Sequence, residues 1–168
     1  LPAFKISSPR DLSAAIAAVS IGSVGFAYTA QYGFGLEPCI LCLYQRIPFA
    51  VNIVLALIAL FMSREIAARI WILRICGLAF LVGGGIAAYH VGVEQQWWQS
   101  AASCGGTPIT GAITSEQLLQ SLQQVQPKAC GDVDWTLFGI SMASYNVVFS
   151  LGLGILTFLG VHKMEKSG

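Results

Sequence analysis

Four stretches of the chain carry apolar residues with little interruption, and none alternates with a period of two. The first runs from about Leu12 to Tyr32 without a charged residue, and the second from about Leu41 to Met62 with Gln45 and Arg46 near its start. The third runs from about Ile70 to Val93 with Arg74 near its start, and the fourth from about Phe138 to Val161 without charge. A bilayer core of about 30 Å takes roughly 20 apolar residues in a helix, so each stretch predicts a membrane span. The missing two-residue alternation argues against a membrane barrel. Pro9 and Asp11 after Ser8 predict a helix start with a capping box. The first span is too long for the apolar region of a signal peptide, and three more follow it.

Small residues recur inside the spans. Ala14, Ala18 and Gly22 form a small-xxx-small ladder, Gly83-Gly84-Gly85 and Ala87-Ala88 lie in the third span, and Gly152, Gly154 and Gly160 mark the fourth. Such positions let helices approach closely. The expected fold is therefore an all-α membrane protein. It is a four-transmembrane-helix bundle forming a single membrane domain over residues 1–168.

Composition supports this and excludes other classes. The chain is 55% hydrophobic and 10% charged, against about 25% charged in soluble domains. That is too little charge to cover a watery surface or to bind nucleic acid. The net charge of +1 hides an asymmetry. Lys5, Arg10, Arg64, Arg69, Arg74, Lys163 and Lys166 fall on one side of the spans, whereas Lys128 is the only basic residue in the loops of the other. The positive-inside rule puts both termini in the cytoplasm and turns loops 33–40 and 94–137 outward. Trp97, Trp98 and Trp135 bracket the long loop as interface anchors would. Within it, Thr114 to Gln117 reads as a helix start, and Leu118, Leu119, Leu122 and Val125 share one face before Pro127. That short amphipathic helix either lies on the membrane or caps the bundle.

Of five cysteines, four land on the outward side, where disulfides form and persist. Cys76, inside span three, reads as a small packed hydrophobe. Cys39 and Cys42 form a Cys-x-x-Cys pair at the mouth of span two, where the helix dipole favours thiolate at the first cysteine. Metal sites use the same spacing, and four thiolates from Cys39, Cys42, Cys104 and Cys130 would suit zinc. An oxidising compartment argues against this, so no metal is expected. Arg46 lies within about 60° of both cysteines on the helix and one turn below Cys42. A charge inside a span is costly and usually faces a functional interior, where it can stabilise an anion. Pro48 deprives the Tyr44 carbonyl of its usual partner and predicts a kink. His90 and Glu94, four residues apart at the outward end of span three, can hydrogen-bond the carbonyl of a ring-shaped oxidant. The alternative is a solvated interfacial histidine.

Taken together, four spans, Pro38-Cys39-Ile40-Leu41-Cys42-Leu43-Tyr44-Gln45-Arg46, a second-loop cysteine pair, and Cys130-Gly131-Asp132 with Trp135, Gly139, Ser141 and Met142 resemble the DsbB family. These are bacterial inner-membrane disulfide bond formation proteins, quinone-dependent thiol oxidases. The vitamin K epoxide reductase family also combines four helices, two cysteine pairs and a quinone, but there the loop pair comes first. The resemblance implies catalytic roles for Cys39, Cys42, Cys104 and Cys130. Cys104 and Cys130 would form a loop disulfide that oxidises a periplasmic thioredoxin-like partner similar to DsbA. Cys130 would pass the reducing equivalents to Cys39, and Cys42 would face the quinone, ubiquinone or menaquinone, with Arg46 stabilising the anion formed. His90 lies close to the family's third-span histidine, though not cleanly in register. The competing expectation is a structural bundle whose outer loops are stapled by disulfides.

Overall fold

A computed structural model describes residues 8–62, 66–100, 129–131, 133 and 135–167. Its architecture is four long helices, α1 Pro9–Gly33, α2 Ile40–Phe61, α3 Ile66–Glu94 and α4 Met142–Ser167, with a two-stranded hairpin ahead of α4. All four helices are long and apolar enough to cross a membrane. Much of their apolar surface faces outward: Phe26, Val54, Ile58, Trp71, Val148 and Leu156 are all exposed. In water this would drive aggregation, but in lipid it is the solvated face. The expected all-α four-span fold is the fold observed. Cys104 and the amphipathic segment from Thr114 to Val125 lie outside the described residues.

Local chemistry sets the helix ends. Ser8 caps α1 through a capping box: its hydroxyl accepts from the Asp11 amide, and the Asp11 carboxylate accepts from the Ser8 amide. Buried Arg69, near the start of α3, donates to the carbonyls of Ala59 and Met62 and so caps the C-terminus of α2. Helix α3 ends with Gln96 at φ 58°, where the amides of Gln96 and Trp97 return to the carbonyls of Val93 and Gly92. That turn folds Trp98 back over α3. Its ring stacks on Tyr89 with centroids 5.8 Å apart, and it sits where any side chain at Gly92 would be.

The fourth helix begins later than its apolar pattern predicts. Thr136–Leu137 pairs antiparallel with Ile140–Ser141 across a two-residue turn. Phe138 (φ 53°) and Gly139 (φ 77°) both occupy the left-handed region, as a primed hairpin turn requires. Phe138 therefore belongs to the turn and is 90% exposed. The apolar run continues through a hairpin, which hydropathy alone does not register.

Between α3 and α4 the backbones close on one another at small residues. Leu151 covers Gly84, Leu81 covers Gly154 and Phe158 covers Gly77. The Ala14–Ala18–Gly22 ladder behaves differently. Ser13, Ile16, Ala17 and Ser20 face the core, while Ala18 and Gly22 are exposed and a side chain at Gly22 would meet nothing. The core proper is built from Leu12, Ile16, Phe49, Leu73, Phe80 and Val161, with Cys76 fully buried among them. Helix α2 runs through Pro48 without a break, and Pro48 packs against Gly83.

Candidate functional site

The site sits where α2 begins, α3 ends and the hairpin leads into α4. Cys39 is the N-cap of α2, and its sulfur accepts from the Cys42 amide at 3.4 Å. The N-cap position brings the two sulfurs to one side, 3.4 Å apart, with Cys39 donating to Cys42. That donated bond and burial push the Cys39 thiol up to about 11, against the opposing pull of His90 and the Cys42 amide. The helix dipole alone favours thiolate at Cys39. In this geometry Cys39 keeps its proton and shares it toward Cys42, because the neighbouring sulfur outweighs the helix terminus.

Cys130 packs against this pair. It forms one buried cluster with Cys39, Leu41 and Val93, and Cys42 and Tyr89 close on it. Two cysteines separated by 91 positions in sequence are thus brought into one cluster, although Cys130 comes from the segment between α3 and α4. His90 is buried behind them, its Nε2 3.5 Å from the Cys39 sulfur and 3.8 Å from Glu94 Oε1. Glu94 is buried as well, and accepts from the Ser141 hydroxyl at 2.5 Å. Ser141 in turn accepts from the Ser144 amide at the start of α4.

Beside the cysteines lies a cavity of about 640 Å³. Its walls come from α1 (Gly22, Phe26, Ala30), α2 (Cys42, Arg46, Phe49) and α4 (Ala143, Asn146, Phe149), with Trp135 and Val133 at the loop end. Gly22, Phe26, Tyr145 and Phe149 are exposed as well as lining it, so it opens sideways between α1 and α4. The lining is mostly apolar with a few polar groups at the cysteine end, the usual make-up of a small-molecule site. Arg46 reaches across to α1, where its guanidinium donates to Gln31 Oε1 at 2.7 Å and lies 5.1 Å from the centre of the Tyr28 ring.

The structure brings together Cys39, Cys42, Arg46, His90 and Glu94 around one cavity, and packs Cys130 against Cys39. The remaining predicted site residue, Cys104, lies outside the described residues. His90 and Glu94 are buried and engaged by protein groups, not solvated at the interface. Cys39, Cys42 and His90 also hold their ligand atoms within 4.8 Å of one another, a donor set that a soft metal can use. Sequence reasoning missed Gln31, Tyr28 and Asn146. Gln31 and Asn146 carried a readable signal, a polar side chain inside an apolar span. Their partners did not, because they lie on other helices.

Comparison with known proteins agrees with this geometry. The family model for disulfide bond formation protein DsbB matches residues 9–160. A disulfide bond formation protein B of Xylella fastidiosa is 32% identical over 148 residues, covering 86% of this chain and 85% of that protein. One from Xanthomonas axonopodis pv. citri is 33% identical over 153 residues, covering 87% and 86%. Another from Methylobacillus flagellatus is 32% identical over 149 residues, covering 86% and 88%. With the cysteine pair, its membrane helices and this likeness in agreement, the chain belongs to the DsbB family of membrane disulfide bond formation proteins.

Proposed function

We propose that this protein reoxidises the dithiol of a periplasmic thioredoxin-like oxidase similar to DsbA, and passes the electrons through two cysteine pairs to ubiquinone or menaquinone. The observation that carries this reading is one juxtaposition. The Cys39–Cys42 pair stands on the wall of an apolar cavity with Arg46, and Cys130 packs against Cys39.

The chain's own residues divide the work. Cys104 and Cys130, as a loop disulfide, take the partner's two electrons by thiol–disulfide exchange. The Cys130 thiolate then attacks Cys39 in the Cys39–Cys42 disulfide, and Cys42 leaves as thiolate on the cavity wall. Arg46, beside it, holds negative charge at that end of the cavity. A quinone suits this cavity in size and in its apolar lining, and when bound it supplies a two-electron acceptor that takes up two protons. Such an acceptor is needed because DsbA-type partners are strong oxidants, near about −120 mV, which a disulfide below about −300 mV does not reoxidise at equilibrium. The sideways opening between α1 and α4 suits a lipid-soluble acceptor. Both termini lie in the cytoplasm, and the cysteines face the periplasm across the bacterial inner membrane.

The test is turnover. The protein in quinone-loaded nanodiscs should oxidise a reduced thioredoxin-like partner catalytically, and Cys42→Ser and Cys104→Ser should each abolish it. Turnover that survives either substitution overturns the reading, as does stable folding with no turnover at all.

A further inference from the structure

A chain of polar groups, buried except for half-buried Asn146, runs from α4 through α2 to His90. The Ser150 hydroxyl donates to Asn146 Oδ1 at 2.9 Å, and Asn146 Nδ2 donates to Gln45 Oε1 at 2.6 Å. Gln45 therefore presents its Nε2 to His90 Nδ1, 2.7 Å away. Gln45, His90 and Ser150 are all buried. An amide nitrogen has no lone pair to offer and can only donate. With the two amides oriented this way, His90 Nδ1 is the bare, accepting nitrogen and the ring proton of the neutral imidazole sits on Nε2. That proton faces the Cys39 sulfur.

We infer that Gln45 and Asn146 are positioning residues that lock His90 in its Nε2–H form, so that His90 donates to the Cys39 sulfur instead of accepting a proton from it. The inference rests on the thiol-oxidase reading only for its consequence. Each time Cys39 is released as thiolate, a fixed donor waits 3.5 Å away. The same lock has a second effect. Cys39, Cys42 and His90 form a ready soft-metal donor set, but a metal needs the Nε2 lone pair, which the lock covers with a proton. The amide chain thereby protects a reduced dithiol from being trapped by a metal ion before it is reoxidised.

Two substitutions reverse the lock from different helices. In Asn146→Asp the carboxylate can only accept, so the Gln45 amide turns its nitrogen toward it and offers oxygen to His90 Nδ1. In Gln45→Glu the carboxylate faces Nδ1 directly. Both force a proton onto Nδ1. The readout is nitrogen NMR of the reduced full-length protein labelled at histidine. Only His90 and His162 contribute, and a His162→Gln background removes the second, which is exposed near the end of α4. The expected result is a bare Nδ1 in the parent and a protonated Nδ1 in both variants. Cadmium titration, read by thiolate-to-metal absorption, should show Asn146→Asp binding about 10- to 100-fold more tightly than the parent. A protonated Nδ1 in the parent, a bare Nδ1 in both variants, or equal cadmium affinity overturns the inference. If the variants do not fold, the parent spectrum decides alone. A parent with bare Nδ1 but no quinone-linked turnover would overturn the functional reading and leave this inference standing.

Discussion

Arg46 sits in an apolar span, where a charge costs at least a few kcal/mol unless something uses it. Gln31 and the Tyr28 ring hold it on the cavity wall beside Cys42. Removing it should slow quinone reduction about 100-fold, the scale for losing one preorganised charge-stabilising donor. Thiol exchange between the two cysteine pairs should persist. Arg46→Ala, compared in a quinone-coupled assay and in a quench-and-alkylate exchange assay, separates the two steps. Unchanged quinone kinetics would remove Arg46 from the site. The cysteine pair makes a second prediction. With the Cys39 thiol held at about 11 against an ordinary value of 9.0, its thiolate is scarce until the pH approaches that higher value. Alkylation of Cys39 in the reduced protein should therefore stay slow near pH 9 and rise toward pH 11, because the thiolate is the nucleophile. Rapid labelling near neutral pH contradicts the hydrogen bond from Cys39 to Cys42.

Individual helices rest on small residues where they meet and on caps where they end. A side chain at Gly84 would sit 2.7 Å from Leu151 Cδ2, and one at Gly154 would lie 2.7 Å from Leu81 Cδ2. Gly84→Val should destabilise the bundle by about 1–3 kcal/mol through overpacking of α3 against α4. Gly22→Ala, facing open space, should leave the thermal midpoint near the parent value. Thermal unfolding in detergent compares them, and equal midpoints would contradict the α3–α4 packing. How much of each element is legible in the sequence follows from which interactions are local. The Ser8–Asp11 capping box, the helical spans and the placing of Cys39, Cys42 and Arg46 on one face depend on residues three to seven positions apart, so spacing reveals them. The hairpin turn at Phe138 and Gly139 is hidden because its residues are as apolar as the helix that follows. The small-residue ladder on α1 is readable as a pattern but not as a contact, since a helix that packs by Ser13, Ile16, Ala17 and Ser20 turns Ala18 and Gly22 away from the core. The polar chain Ser150–Asn146–Gln45–His90 joins three helices. Its members announce themselves as polar residues in apolar spans, but its direction exists only once the helices are packed.

At the scale of the molecule, the two ends of the bundle differ in kind. One end carries Arg69 and Arg74 of α3 with Lys163 and Lys166 of α4, and Arg74 meets Glu165 at 2.6 Å. That pair is partly exposed and contributes little to stability, but it marks the basic end. The other end gathers Cys39, Cys42, Cys130, His90, Glu94 and the cavity. Basic residues favour the cytoplasmic side, so a fluorescent protein fused after residue 168 should fluoresce, and alkaline phosphatase fused there should be inactive. The opposite pattern would invert the proposed orientation. The central claim is that electrons leave the chain from the Cys39–Cys42 pair into a quinone. It is tested most directly in a single turnover without partner or oxygen. The fully reduced protein is mixed with quinone in nanodiscs, quinol is measured, and the disulfides formed are mapped by mass spectrometry. The account predicts quinol formation matched one-to-one by new disulfides, with none formed in Cys42→Ser. Thiols that stay reduced beside unreacted quinone would contradict it.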